Sequence, residues 1–499
     1  MQKKFTSTVA GASILIALVG IISKGLGFLR EVIFANSFGL GADFDIYLVS
    51  SVIPVTLTTI IFYIAQNYYI PLFAEAKKNY TTPNFFNRNL IFFFSGSIIL
   101  SILLYFFSDY LVTIYLKSNV SNVKNTAKTI FQLSLICIPF TALNSFFISY
   151  LQSELEYRIP AYSQIVQSIS ILTVLILLNK ILGIIAIPVS FIAGTVLQFI
   201  FLAGLNISII NFKYLHNTKI FNRNVITKSL LYVTLIEVIG QFYILADRFF
   251  FDKVDSGGIA ALNYGVNVFQ IPILIFTFAL STALFPKFSN SVAAKDWDAI
   301  RRNVKSIINI NFFIYVPIVF IMFFYGDIVI KIIYQRGKFT SIDTLMTFEI
   351  LKYMSLALVF YAIYGVLNKL FYSFNLTKVL FLITLAGIFI KILLNFILVT
   401  NFRQTGLAVS TVITYLFFFL ITFIVFAKKI SFRIDRTYPG IFLFYFLNGL
   451  VSYFVSVILP VKGILSILTF LTVFYTNLYY LDDNTFYIFW DIKEKLLQR

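Results

Sequence analysis

The chain has 499 residues, 59% of them hydrophobic and 12% charged, with a mean hydropathy of +0.90 and a formal net charge of +18. A soluble chain carries about a quarter charged residues, so a water-soluble globular class is excluded. Apolar runs of 18 or more residues recur throughout, each long enough for about 30 Å of hydrocarbon. They are continuous rather than alternating ten-residue segments, which excludes a β-barrel and leaves an all-α polytopic membrane protein.

In chain order, Met1-Gln-Lys-Lys followed by Val9 to Ile22 has the charge-then-apolar order of a signal peptide. The apolar stretch runs on to Arg30 with no A-x-A site, so it reads as an uncleaved first span. About 14 spans follow from the hydropathy pattern, near 7–35, 43–72, 89–108, 127–152, 160–179, 182–210, 226–250, 258–286, 306–325, 343–373, 377–399, 404–427, 438–459 and 463–481. Pro54 and Pro272 fall inside the second and eighth and should kink them. Gly39-Leu-Gly41 and Ser256-Gly-Gly258 mark tight turns. Between the eighth and ninth spans, 287–305 reads as a basic amphipathic connector, and Asp491 to Arg499 as a short surface helix anchored by Trp490.

Orientation follows from the short loops. With the N-terminus in the cytoplasm, roughly 23 Lys/Arg fall inside, about 11 outside and about five within spans. Both termini are therefore expected in the cytoplasm, and the positive charge reflects loop bias rather than a nucleic-acid partner. Cys137 and His216 are the only cysteine and histidine. Without a Cys/His cluster, a nucleotide-binding glycine loop or a nucleophile set, neither a metal, a cofactor nor an enzyme is expected.

Charge inside a bilayer is costly, so Lys24, Arg30, Lys352, Lys369, Lys391, Asp45, Glu237 and Asp247 are functional candidates by default. Two blocks share a spacing. Arg30 is followed by Tyr47 and Ile53-Pro54, and Arg248 by Tyr264 and Ile271-Pro272, with Pro 24 residues after each Arg. This suggests two related halves facing a polar cavity. Arg30 and Lys24 suit a phosphate or pyrophosphate, Arg through its bidentate fork. Asp45 could pair with Arg30 across the first hairpin. Lys391, one turn before Asn395 on the same face, needs an acidic partner, for which Asp247 is the candidate.

Three motifs carry a family resemblance. They are Ser23-Lys-Gly-Leu-Gly-Phe-Leu-Arg30-Glu … Phe38-Gly … Ala42-Asp-Phe-Asp45 … Ile53-Pro54, then Ala246-Asp-Arg248 … Gly258-Ile-Ala-Ala-Leu-Asn-Tyr264 … Ile271-Pro272 … Leu284-Phe-Pro286, then Tyr334-Gln-Arg-Gly-Lys-Phe339-Thr … Asp343-Thr. Their order and spacing over nearly the whole chain resemble the MurJ/MviN lipid II flippase family of the MOP exporter superfamily. The resemblance implies two pseudo-symmetric six-helix lobes, 1–212 and 213–430, that rock around a cavity. Two last helices in 431–499 would form a groove for a lipid tail.

Residue by residue, the resemblance gives Arg30 the place of an essential cavity arginine and Asp45 that of an acidic residue opening the second span. Lys24 stands where arginine is usual. Thr58 or Thr59, and Asn267, stand where the family has arginines, so this cavity is less basic. Asp247, Lys391, Asn395 and Thr411 match a sodium site of some relatives, with the Lys ammonium in place to substitute for the cation. The implied activity is alternating-access movement of an undecaprenyl-pyrophosphate-linked glycan across the bacterial inner membrane by a monomer. Its implied partners are that glycolipid, membrane lipids and cell-wall or glycan assembly proteins. The alternatives are a flippase for an O-antigen or capsule repeat unit, a MATE-like cation or drug antiporter, and a non-transporting scaffold.

Overall fold

A computed structural model describes residues 9–78, 82–116, 121–209, 228–277, 288–430 and 437–481, and among them there is no β-strand. Nine described helices are long and apolar enough to cross a membrane, or eleven if each of two bent pairs is one span. The chain is a multi-pass all-α membrane protein. It forms two compact units, one comprising 1–260 with 336–339 and the other 261–335 with 340–499.

The first unit opens with α1 (Val9–Phe38), then α2 (Ala42–Ser50) and α3 (Val52–Ile64). A π turn, Ala65–Tyr69, leads into α4 (Ile70–Lys78). The second span is bent by 43° between Ser50 and Val52. Pro54 sits just after the bend, in the first turn of α3, where its missing N–H has no partner to lose. α5 (Thr82–Phe106) and α6 (Ser108–Tyr115) follow, then α7 (Ser121–Leu135) and α8 (Cys137–Ser153). The expected fourth span is thus interrupted at Ile136, three residues before Pro139.

α9 (Arg158–Leu182) and α10 (Ala186–Leu205) fold back on one another about Gly183, whose φ is 56°. The Gln198 amide donates to Ser163 Oγ across that hairpin (3.2 Å) and accepts from Asn144 of α8 (3.0 Å). A buried aromatic cluster holds α4, α5 and α8 together. Phe73 lies 5.1 Å from Phe85 and 5.2 Å from Phe146, and Tyr69 lies 4.7 Å from Phe146. Edge-to-face contacts of this kind add about 0.5–1.5 kcal/mol each beyond area burial. α11 (Lys228–Arg248) completes the unit by packing along α3.

The second unit contains most of α12 (Gly258–Pro272), α13 (Trp297–Phe324), α14 (Gly326–Tyr334), α15 (Ser341–Ser355) and α16 (Leu358–Ser373). A π turn, Ile273–Thr277, follows Pro272 directly, as expected where proline removes an i→i−4 bond. The expected connector over 287–305 is corrected. Asp296 accepts from Ala299 N (2.9 Å) and caps a helix that runs unbroken from Trp297 to Phe324. The expected tenth span is likewise two helices, α15 and α16, meeting at 55°.

α17 (Thr377–Lys429) has 53 residues, about 80 Å if straight, more than twice a bilayer's hydrocarbon thickness. It is a helical hairpin. Arg403 takes φ 48°, and beyond it Phe418 packs over Gly387 while a Cβ on Gly406 would stand 2.6 Å from Leu398 O. α18 (Thr437–Ile458) and α19 (Ile464–Leu481) close the unit against α13. There Phe320 meets Phe446 at 5.8 Å and Phe470 at 5.9 Å, and the Tyr325 hydroxyl meets Ser456 at 2.5 Å. The tail from Asp491, Trp490, His216 and Leu284-Phe-Pro286 lie outside the described residues.

Candidate functional site

In the first unit, α2, α3, α7, α8, α9 and α10 surround a cavity of about 270 Å³. Tyr47, Pro54, Thr58, Thr59, Thr141, Gln167 and Phe191 are among its lining. Arg30 stands beside it. Its guanidinium lies 4.9 Å from the ring centre of Phe191, 5.9 Å from that of Phe34, and 3.3 Å from Glu31 Oε1. The side chain keeps 27% of its surface exposed, and its buried Nε makes no hydrogen bond. The guanidinium is thus held by rings and one neighbouring carboxylate, with donors left over for an anion. Lys24, six residues earlier, is exposed.

Thr58 and Thr59, where the resemblance expects an arginine, both line the cavity and donate to Val55 O at 2.8 and 2.9 Å. Their hydroxyls are turned onto their own helix, so this wall carries no charge. Asn267, at the other expected arginine, is half-buried in the second unit.

The expected pairing of Asp45 with Arg30 is corrected. Asp45 is 1% exposed, and its two oxygens accept from the backbone amides of Gly257 and Ala260, each at 2.6 Å. It caps the start of α12, where free amides and the helix dipole favour a carboxylate. Gly257 permits this through its φ of +81°, with its α-carbon so close to Leu40 that a Cβ would stand 2.5 Å from Leu40 O. Arg248 is buried, and its Nη1 donates to Ile259 O at 3.2 Å. Arg248 and Asp45 therefore serve the same turn.

The third motif also has a structural explanation. Gly337 packs onto Asn36, and Lys338 N donates to Asn36 O at 2.9 Å. Thr340 and Asp343 then form a capping box that starts α15.

In the second unit, the α17 hairpin brings together three of the four residues of the expected ion set. Lys391 is fully buried. Its ammonium donates to Leu407 O (3.1 Å), Ser410 Oγ (3.0 Å) and Thr411 Oγ1 (2.5 Å). Ser410 Oγ in turn donates to Asn395 Oδ1. Asp247 belongs to the first unit. Sequence reasoning missed Ser410. The signal was available, because a turn near residue 403 folds Ser410 back opposite Asn395. It also missed Phe191, whose position under Arg30 depends on helices some 160 residues apart in sequence. Lys352 and Lys369 lie over the rings of Phe323 (5.1 Å) and Tyr372 (5.8 Å). Among the described residues no cluster of His, Cys, Asp and Glu could hold a metal.

This helical membrane fold is shared with solved structures described as transporters and flippases. A multidrug-resistance MATE family transporter of the MOP superfamily, inward-facing, matches with a TM-score of 0.70 at 12% identity, covering 81% of this chain and 94% of that one. A structure described as lipid II flippase MurJ, inward closed conformation, matches with a TM-score of 0.79 at 23% identity over 94% of this chain and 99% of that one. At these identities the likeness establishes the fold.

The family is established by sequence. The model of the family "Lipid II flippase MurJ" matches residues 34–483, and the chain belongs to that family. Among its relatives, the lipid II flippase MurJ of Thermosipho africanus is 27% identical over 476 residues, covering 94% of this chain and 97% of its own. The probable lipid II flippase MurJ of Borreliella burgdorferi is 25% identical over 430 residues, 84% of this chain and 83% of its own.

Proposed function

We propose that this chain is a flippase for lipid II, the undecaprenyl-pyrophosphate-linked peptidoglycan precursor, moving it outward across the bacterial cytoplasmic membrane by alternating access. The observation that carries the reading is the Arg30 guanidinium, partly exposed beside the cavity with unused donors. A pyrophosphate is the chemistry that rewards such a fork, because charge-assisted bidentate hydrogen bonds are roughly twice as strong as neutral ones. Lys24 adds a second cation on the same helix. The glycan occupies the uncharged part of the cavity, and the prenyl tail stays in lipid or along α18 and α19. Its lobes are 1–212 and 213–430, in a monomer with both termini in the cytoplasm. The protein carries out no covalent chemistry and contacts the cell-wall assembly proteins that make and use the lipid.

The same reading assigns Lys391 the place of a coupling cation. Its ammonium is surrounded by a carbonyl and two hydroxyls, the neutral oxygens that would otherwise ligate a monovalent metal ion. A second positive charge cannot enter that cluster, because like charges repel strongly where the dielectric is low. Transport therefore does not depend on sodium at that site. The test of the function is complementation of a conditional lipid II flippase depletion strain. Growth on the wild-type chain supports it, and lysis despite normal membrane insertion contradicts it.

A further inference from the structure

The serine, threonine and glutamine side chains that line the cavity divide into two kinds. Four are spent on their own helices. Thr58 and Thr59 donate to Val55 O, Ser134 donates to Ile130 O at 2.7 Å, and Thr195 donates to Phe191 O and Ile192 O at 3.0 Å. Gln167 of α9 and Thr141 of α8 line the same cavity, and both are half-buried. Among the described residues neither makes a side-chain hydrogen bond. Together they hold two N–H donors, one O–H donor and two acceptor oxygens. That is hydrogen-bonding capacity the fold leaves open to a ligand.

The walls that carry the pair are tied together. Gly194 of α10 lies so close to α9 that a Cβ would stand 3.0 Å from Gln167 O and closer still to Ile171. Asn144, three residues after Thr141, donates to Thr195 O at 2.9 Å and joins α8 to α10. A site set before its ligand arrives gives up less entropy on binding. It also adjoins the anion site. Phe191, under the Arg30 guanidinium at 4.9 Å, lines the cavity itself and sits three residues before Gly194. A pyrophosphate at Arg30 would present its first sugar here. The lining around the pair is apolar at Pro54, Val55, Phe62 and Pro188. Apolar surface beside one donor and one acceptor suits an acetamido group, which has a C=O, an N–H and a methyl. A trans amide directs its C=O and N–H to opposite sides, and the two open side chains stand on two different helices.

We propose that Gln167 and Thr141 form the subsite that reads the sugar next to the pyrophosphate, and that the group they read is an acetamido group. Gln167 Nε2 donates to its carbonyl, and Thr141 Oγ1 accepts from its N–H. The two residues set specificity, while Arg30 supplies the charge. That the sugar belongs to lipid II rests on the flippase reading, whereas recognition of the acetamido group does not.

The test is binding to the purified full chain in nanodiscs, with three fluorescent undecaprenyl lipids: the bare pyrophosphate, the pyrophosphate bearing N-acetylglucosamine, and the pyrophosphate bearing glucose. The wild type should hold the N-acetylglucosamine lipid about tenfold tighter than the glucose lipid, the worth of two neutral hydrogen bonds. Gln167→Met, close in size but without donor or acceptor, should cut that preference to about threefold, and so should Thr141→Val. Both variants should bind the bare pyrophosphate as the wild type does. A general loosening of the fold would weaken all three lipids together and leave the preference unmoved. Equal binding of the two sugar lipids by the wild type overturns the proposal. So does a preference that survives both variants, or a loss in Gln167→Met that falls equally on all three lipids. If Gln167→Met does not fold, Gln167→Glu, which keeps the length and loses both amide donors, takes its place in the same comparison. Translocation of fluorescent lipid II in proteoliposomes is read alongside. Wild-type protein that prefers the acetamido lipid but moves no lipid II upholds the sugar subsite and removes the flippase reading. Wild-type protein that moves lipid II without that preference removes the subsite alone.

Discussion

Arg30 and Arg248 open blocks of matching spacing, yet they do different things. Arg30 lies against Phe191 beside a cavity that Tyr47 and Pro54 of the same block help to line. Arg248 is 6% exposed and donates to Ile259 O, while Tyr264 of its block is buried against Tyr334 at 4.9 Å. A repeated motif has thus kept its spacing in both places and its exposed charge in one. Recurrence identifies where a half-molecule repeats. Exposure identifies which copy can meet a ligand.

The comparison breaks first at Arg30. Arg30→Ala should lower lipid II translocation on the order of a hundredfold, because about 3 kcal/mol is given up with a charged hydrogen-bonding group. Membrane insertion and melting temperature should stay near wild type, and Arg30→Lys should fall between. Next, Arg248→Met should lose about 2 kcal/mol of stability with the charged hydrogen bond to the Ile259 carbonyl, read as thermal unfolding in detergent. Its translocation per folded molecule should change little.

Asp45→Asn, which sets an amide NH₂ against a backbone N–H, should cost about 2 kcal/mol. Gly257→Ala should cost about 1–2 kcal/mol from the left-handed backbone alone, more if Leu40 cannot move. A large loss of transport without loss of stability at Arg248 or Asp45 would erase the distinction between the two blocks.

Much of this was legible in the sequence. Hydropathy sufficed for the fold class because a bilayer demands long apolar helices and little else. The turns at Gly39-Leu-Gly41 and Ser256-Gly-Gly258 were legible because both hold a positive-φ glycine, Gly39 and Gly257. Arg30 as a candidate came from cost, since an intramembrane charge is expensive and a functional candidate by default, and the structure places it beside a cavity.

What was not legible depends on contacts distant in sequence. Asp45 read as a partner for the nearest arginine, whereas its carboxylate reaches amides 212 and 215 residues away. Nothing local announces that a helix start will arrive there. The connector ending at 305 failed for a different reason. Charge in 295–305 masked a capped helix, although Asp296 three residues before Ala299 was a readable N-cap.

The most direct test is translocation of fluorescent lipid II by the full chain in proteoliposomes, comparing wild type with Arg30→Ala and Arg248→Met at equal amounts of folded protein. The account predicts transport by the wild type and by Arg248→Met, and none above protein-free vesicles by Arg30→Ala. Equal transport by all three, or loss in Arg248→Met with Arg30→Ala intact, would contradict it.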